Sequence, residues 1–172
     1  MRFIPCIFIF CMHNRCLAIN MEEKSREHVG AYTCVFNSDL SEILLLWRKK
    51  EEREGKVIKG WGNIGGSVEP GETALEACVR EANEEIGIDF EPSALVQVGI
   101  KSSPGTSLHK WTVHFYAASI DESIGIKLDD ESRGYGWFGK EELPDGALDS
   151  KEDILGWWAL AEKAFKNGKM RT

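Results

Sequence analysis

The hydrophobic pattern of this chain predicts a mixed domain of short strands and two helices. Residues 31–36 and 42–48 are rich in apolar and β-branched side chains and flank the turn signal Asn37-Ser38-Asp39, so we expect a pair of strands. Residues 95–101 have strand character. Residues 111–120 alternate apolar and polar positions, as expected for a strand with one buried face.

Two segments show helical spacing instead. Thr73 followed by Glu76 forms a capping box, which predicts a helix that begins at Ala74. Gly87 is predicted to end it, because glycine adopts the left-handed cap conformation at little cost. The apolar stripe between these limits is Leu75, Cys78, Val79, Ala82 and Ile86. A second amphipathic helix is predicted over residues 152–166, where it would cap the sheet.

The second predicted helix contains the adjacent pair Trp157-Trp158. Adjacent helical residues do not face the same way, so we expect one tryptophan in the core. The other would then be available for a contact between two copies of the chain. A homodimer is therefore one hypothesis, although the sequence does not specify the oligomeric state.

Three carboxylates are the clearest candidate chemistry. Glu81, Glu84 and Glu85 stand at helical positions i, i+3 and i+4, so they should share a face away from the apolar stripe. Like charges at this spacing repel one another, and a hard divalent cation would turn that cost into a binding site. Mg²⁺ is the expected ion, with Mn²⁺ as its substitute. The competing interpretation is a solvated acidic face that binds no metal.

The stretch from Gly66 to Ile88 resembles the Nudix box, G-x5-E-x7-R-E-U-x-E-E-x-G-U, where U is a bulky aliphatic residue. The one departure is Ala82, which stands where a larger aliphatic residue is usual. The residues on the fixed positions are Gly66, Glu72, Arg80, Glu81, Glu84, Glu85, Gly87 and Ile88.

The resemblance implies an α+β fold, the Nudix-type α/β/α sandwich with a mixed sheet between helices, over residues 27–168. Residues 1–26 would be an N-terminal extension and residues 169–172 a tail. It implies a Mg²⁺-dependent pyrophosphohydrolase that cleaves a nucleoside diphosphate linked to another moiety. Glu81, Glu84 and Glu85 would ligate the metal, and Arg80 would orient a glutamate. The general base is left open between Glu81, Glu84 and the loop 129–131.

The resemblance leaves the substrate open. Gly65 and Gly66 are predicted to belong to a glycine-rich loop whose backbone approaches the ligand. Trp61 either stacks on a base or packs beneath that loop. Pro104 lies in a segment similar to the proline loop of ADP-ribose pyrophosphatases, and His109 follows it near the presumed site. Nucleoside triphosphates, including oxidised ones, are the first candidates. ADP-ribose or a nucleotide sugar is an alternative, and a non-catalytic nucleotide sensor is another.

Net charge and composition limit the kinds of binding partner that we expect. The net charge of −7 disfavours nucleic acid and anionic membrane surfaces. The expected partner, a small nucleotide, is what the resemblance implies. The dense charge run over residues 48–56 is predicted to be a solvated loop. The alternative is a basic element that meets phosphates, although the interleaved glutamates weaken it; its residues would be Arg48, Lys49, Lys50 and Arg53. The five cysteines are odd in number and imply no disulfide framework, which suits a reducing cytoplasm.

The first 20 residues differ from the rest of the chain. The apolar run over residues 3–12 is too short to span a bilayer as a helix. It resembles part of a signal peptide, although its cleavage context is weak. It is interpreted either as an extra strand or as sequence upstream of a true start at Met21.

Overall fold

The computed structural model describes residues 26–53, 56–103 and 109–166. The interpretations of residues 1–20 and the predicted tail lie outside these ranges. The strands are β1 Arg26–Asn37, β2 Glu42–Arg53, β3 Lys56–Gly62, β4 Ile64–Ser67, β5 Val96–Ser102, β6 His109–Ile120 and β7 Ser132–Gly139. The helices are α1 Ala74–Ile86 and α2 Lys151–Lys166, and a short 3-10 turn covers Pro92–Ala94.

Within the described residues, the seven strands form one mixed sheet in the order β3-β2-β1-β6-β5, with β4 paired to β1 and β7 paired to β2. Strands β1 and β6 run parallel over their whole length, and the other pairs are antiparallel. The predicted pairing of the first two strands is confirmed. Their turn is also stabilised by the Asn37 side chain, whose Oδ1 accepts from the main-chain N of Glu42 at 3.0 Å.

Alternate residues of β1 and β2 enter two separate cores. Ala31 and Leu44 belong to the core beneath α1, whereas Cys34 and Ile43 belong to the core beneath α2. This alternation follows from the two-residue period of a strand, which sends neighbouring side chains to opposite faces of the sheet. The result is the predicted α/β/α sandwich.

Helix α1 begins and ends where the sequence predicts. Thr73 Oγ1 accepts from Glu76 N at 3.2 Å, and Glu76 Oε2 accepts from Thr73 N at 2.7 Å, which completes the capping box. Gly87 has a φ of 69° and donates its N–H to the carbonyls of Ala82 and Asn83. These local contacts fix both ends of the helix that carries the three glutamates.

Replacing Thr73 by alanine is expected to lower the free energy of unfolding by about 1 kcal/mol, because the N–H of Glu76 loses its acceptor. Urea titration should show a lower midpoint at an unchanged slope. Thr73→Ser keeps the hydroxyl and serves as the control. An alanine variant as stable as the serine variant would show that the cap contributes nothing.

Two predictions from the sequence about the strands and helices are wrong. The charge run is not a loop, since β2 continues to Arg53 and β3 begins at Lys56. The tryptophan pair does not divide between core and surface, since Trp157 is 6% exposed and Trp158 is fully buried. Trp157 stacks on Phe115, and Trp158 donates its Nε1–H to the carbonyl of Leu40. Neither indole therefore offers a surface for a second copy of the chain.

Candidate functional site

A pocket of about 580 Å³ lies between α1, β4 and the central strands. More acidic than basic side chains line it, so its interior repels anions unless a cation is present. The acidic residues are Glu81, Glu84, Glu85, Glu131 and Asp149, and the basic residues are Arg48 and Lys101. The three predicted carboxylates of α1 thus reach one cavity.

Glu85 does not share the solvated face that its spacing suggests. It is only 3% exposed, and both of its oxygens accept from the guanidinium of Arg48, the second at 3.0 Å from Nη2. The N–H of Gly65 also donates to Glu85 Oε2 at 2.9 Å. Arg48 belongs to the charge run that was predicted to be solvated, but its side chain is only 14% exposed.

Burial governs the charge of this pair. It raises the pKa of the Glu85 carboxyl to about 7, against the hydrogen bonds and charge of Arg48, which lower it. Burial also acts to lower the pKa of the Arg48 guanidinium, but its hydrogen bond and attraction to Glu85 prevail and raise it. The pair therefore ties β2 to α1 and buries one of the three carboxylates in the pocket wall.

Arg80 connects the other two carboxylates. Its Nη1 donates to Glu81 Oε1 at 2.8 Å and to Glu84 Oε2 at 3.0 Å. Its Nη2 donates to Glu72 Oε1 at 2.8 Å and to the carbonyl of Ser67 at 3.1 Å. The guanidinium therefore contacts three glutamates at once. Burial raises the pKa of the Glu81 carboxyl, while Arg80 lowers it.

The paired glycines of β4 allow this close packing. Gly65 has a φ of 141°, and a Cβ there would lie 2.2 Å from the carbonyl oxygen of Ala31. A Cβ on Gly66 would lie 2.5 Å from Glu81 Oε1. The predicted glycine-rich loop is in fact strand, since residues 56–62 and 64–67 form β3 and β4. Glycine is needed at position 66 because the carboxylate of Glu81 occupies the space of a side chain.

The donor set fits a hard divalent cation in its chemistry. Carboxylate oxygens are the ligands that Mg²⁺ prefers, and those of Glu81 and Glu84 line one pocket within reach of a single guanidinium nitrogen. In the present side-chain arrangement, no group of three or more His, Cys, Asp or Glu side chains among the described residues is gathered closely enough to hold a metal ion. Arg80 bonds one oxygen of Glu81 and one of Glu84, and Arg48 bonds both oxygens of Glu85.

Among the described side chains, none of the remaining residues that were predicted to bind substrate lines the pocket. Trp61 is absent from the pocket lining and packs edge-on against Trp47 and Phe138, the packing alternative of the sequence analysis. Pro104 lies outside the described residues, and the side chain of His109 does too, although its backbone begins β6.

The loop over residues 129–131 separates its acidic residues by role. Asp129 Oδ1 accepts from the N–H groups of Glu131 and Ser132 at 3.0 and 3.2 Å, so this carboxylate shapes the turn. Glu131 lines the pocket. Of the loop candidates for a general base, Glu131 is therefore the one whose residue lines the pocket.

Three polar residues of the pocket lining were not predicted as site residues: Asn63, Lys101 and Asp149. Arg48 was considered as a contact to phosphate, but it pairs with Glu85 instead. Asn63 Nδ2 donates to Asp149 Oδ2 at 3.2 Å across 86 positions of the chain, a contact that no local pattern reveals. The one available signal was Asn63 itself, a polar residue that follows Gly62 in the glycine-rich segment ahead of the box.

A family model described as the NUDIX domain matches residues 26–158. The human 8-oxo-dGDP phosphatase NUDT18 is 34% identical over 113 residues, which cover 64% of this chain and 32% of that protein. The bis(5'-nucleosyl)-tetraphosphatase of Mus musculus is 32% identical over 87 residues, which cover 49% of this chain and 59% of that protein. The match thus spans about a third of the first relative and little more than half of the second.

Solved structures resemble the fold over most of the described residues. The crystal structure of a MutT NUDIX hydrolase from Burkholderia pseudomallei aligns with a TM-score of 0.60 at 25% identity, covering 76% of this chain and 96% of that one. The MutT protein from Methanosarcina mazei Go1 aligns with a TM-score of 0.61 at 21% identity, covering 80% of this chain and 94% of that one. Neither described helix reaches the length and apolarity that crossing a bilayer requires.

Proposed function

The chain belongs to the Nudix family, and from that premise we propose that it is a divalent-metal-dependent pyrophosphohydrolase acting on a nucleoside diphosphate linked to another group. The observation that carries the proposal is the acidic pocket, lined by five carboxylates against two cationic side chains. A polyphosphate would be repelled by this lining, and a cation held by the glutamates removes the repulsion. Mg²⁺ is the proposed ion, and Mn²⁺ its substitute.

The residues have distinct proposed roles. Glu81 and Glu84 would hold the ion, with Glu85 close behind them on the same helix. When bound, the ion supplies charge neutralisation at the bridging and leaving oxygens of the diphosphate. Arg80 keeps its hold on Glu72 and the Ser67 carbonyl, and so fixes the start of the helix.

A general base must take a proton from the attacking water. Glu81 and Glu84 remain candidates, and Glu131 joins them because it is the loop carboxylate that lines the pocket. A carboxylate that ligates the ion is a weaker base than one that does not. Glu131 is therefore the proposed base.

The similarity to an 8-oxo-dGDP phosphatase favours nucleotides, oxidised ones included, as the substrate class. ADP-ribose stays the second candidate. The segment that suggests it, residues 103–107, lies outside the described residues from position 104 onward. Free thiols at Cys34 and Cys78, both buried, are in keeping with a reducing compartment such as the cytoplasm.

A substrate panel tests the proposal directly. The full chain should release phosphate or pyrophosphate from nucleoside di- or triphosphates with Mg²⁺ present, and lose that activity in excess EDTA. If the protein hydrolyses ADP-ribose but no nucleoside di- or triphosphate, ADP-ribose becomes the proposed substrate. Tight nucleotide binding without turnover in either Mg²⁺ or Mn²⁺ would refute the hydrolase proposal and leave a nucleotide sensor.

Gly66→Ala is expected to reduce turnover by roughly ten- to a hundredfold, because the added methyl group displaces the Glu81 carboxylate. The backbone φ of Gly66 is not in the left-handed region, so the melting temperature should change little. Steady-state kinetics and thermal unfolding measure the two effects. Gly134→Ala is the control, because a Cβ on Gly134 would meet no atom within 4 Å. Gly71→Ala is unsuitable, because Gly71 has a φ of 95° that alanine rarely adopts. Equal turnover of Gly66→Ala and Gly134→Ala would show that Glu81 tolerates displacement.

A further inference from the structure

The loop that carries the proposed base, Glu131, is attached to the end of the helix that carries the three glutamates. The N–H of Lys127 donates to the carbonyl oxygen of Ile86 at 3.0 Å, and the N–H of Asp129 donates to that of Glu85 at 3.4 Å. The last carbonyls of a helix have no partner within it, and the loop supplies two. The loop therefore contacts the main chain of a residue that lines the pocket.

Apolar side chains hold the same segment against the core. Ile126 and Leu128 pack on the core beneath α1. Lys127, between them, lies so close to the end of the helix that a Cβ on Gly87 would be 3.1 Å from the Cβ of Lys127. Main-chain bonds and side-chain packing thus act on one short segment, and together they fix its position relative to α1.

Beyond this attachment, Asp129 turns the chain into β7. Its Oδ1 accepts from the N–H groups of Glu131 and Ser132 at 3.0 and 3.2 Å. Ser132 is 6% exposed, and a buried N–H needs an acceptor, which Asp129 provides. Ser132 also lies opposite Arg48 where β7 pairs with β2. The residue that follows Glu131 is therefore held from two sides.

These contacts close a ring. Arg48 donates to both carboxylate oxygens of Glu85, and strand pairing places Arg48 opposite Ser132. Asp129 then joins Ser132 to the main chain of Glu85. Glu131 lies between Asp129 and Ser132 in this ring, and it lines the pocket. A general base acts only within hydrogen-bond reach of the proton that it takes, so the position of this loop bears on the rate.

We propose that Asp129 is a positioning residue, whose carboxylate holds Glu131 at the pocket on a loop that is joined to α1. The inference rests on the proposed function, because it takes Glu131 as the base. Asp129 itself takes no proton from the attacking water. Loss of its acceptor oxygen would free the main chain at Glu131, while the bond of Lys127 to Ile86 would keep the start of the loop in place.

Matched variants of the full chain test this role. Asp129→Ala and Asp129→Asn both lose the charge, but only asparagine keeps an acceptor oxygen that can form the same turn. With a nucleoside triphosphate as substrate, Asp129→Ala should lower kcat by about ten- to a hundredfold at a nearly unchanged KM. Asp129→Asn should recover most of that loss. Equal losses in the two variants would overturn the role of the acceptor.

The same loop offers a control of the same chemistry. Asp121 Oδ1 accepts from the N–H of Ser123 at 2.8 Å and from its hydroxyl at 2.6 Å, so it forms a similar turn at the other end of the loop. Asp121→Ala should therefore leave kcat near that of the wild type. A loss as large as that of Asp129→Ala would show that any weakened turn in this loop slows turnover, and would overturn the specific role of Asp129.

A double-mutant cycle separates positioning of the base from a general loss of structure. Glu131→Gln removes the base, so Asp129→Ala should lower kcat no further in that background. Additive losses would show that Asp129 acts by another route, and would overturn the inference while Glu131 stays the base. Unchanged turnover of Glu131→Gln alone would refute the base assignment and the inference with it.

Hydrogen exchange gives a readout that needs no turnover. The N–H of Glu131 should be protected in the wild type and lose that protection in Asp129→Ala, whereas the N–H of Lys127 should keep its own. Unchanged protection of Glu131 would overturn the inference, whether or not the protein hydrolyses nucleotides. Loss of protection in a protein whose wild type has no turnover would confirm the contact and refute the proposed function.

Discussion

Replacing Glu84 by glutamine is expected to lower kcat by roughly two to three orders of magnitude while the protein stays folded. The side chain of Glu84 is 56% exposed, and its hydrogen-bond partner is Arg80. Glutamine keeps the shape and one acceptor oxygen, so Arg80 retains its contact. The negative charge that the proposed ion needs is lost, and electrostatic contributions of this kind are worth about 10² to 10³ in rate.

Single-turnover and steady-state assays over a range of Mg²⁺ concentrations measure this effect. The loss should be accompanied by a higher Mg²⁺ requirement. Glu91→Gln removes an exposed carboxylate ahead of the short 3-10 turn and is the matched control. Turnover of Glu84→Gln near that of Glu91→Gln would remove the metal-binding assignment of α1.

Replacing Arg48 by methionine should have the largest effect on stability. It leaves Glu85 buried with the N–H of Gly65 as its remaining donor among the contacts described. Removing one partner of a buried ion pair costs about 3 to 5 kcal/mol. At pH 8 we therefore expect the urea midpoint to fall sharply, and the melting temperature to fall by roughly 10 °C.

The effect should depend on pH with a definite sign. In the folded protein the pKa of Glu85 is raised from 4.5 to about 7, so the folded state binds more protons than the unfolded state between these values. The contribution of Glu85 to stability thus decreases as the pH rises from about 4.5 to about 7. Loss of the Arg48 guanidinium raises this pKa further, so the destabilisation of Arg48→Met should be smaller at pH 5 than at pH 8.

A double-mutant cycle identifies the cause. Arg48→Met combined with Glu85→Gln removes both charges, and it should recover most of the stability lost by Arg48→Met alone. Urea titrations of the wild type, both single variants and the double variant give the coupling energy. Additive losses would show that Arg48 stabilises the fold through packing and not through Glu85.

The fold could be read largely from local pattern. The capping box, the glycine stop and the apolar stripe of α1 act over a few residues, and the structure reproduces all three. The strand prediction failed for the charge run, where β2 continues through residues that look like a solvated loop. The segment is a strand because it pairs with β3. The density of charged residues along the chain does not predict such pairing. The two buried tryptophans show the same limit, since their contacts with Phe115 and Leu40 come from distant parts of the chain.

The sequence by itself determined the helix of the site and the presence of three carboxylates upon it, because helical spacing is a local property. Only the tertiary structure decided that these carboxylates differ in environment. Glu85 is buried against an arginine 37 positions away, whereas Glu84 stays in solvent. Likewise, it is the packing of β3 beside the loop ahead of α2 that brings Asn63 to Asp149. Desolvation and pairing depend on which distant segments meet, and no short stretch of sequence carries that information.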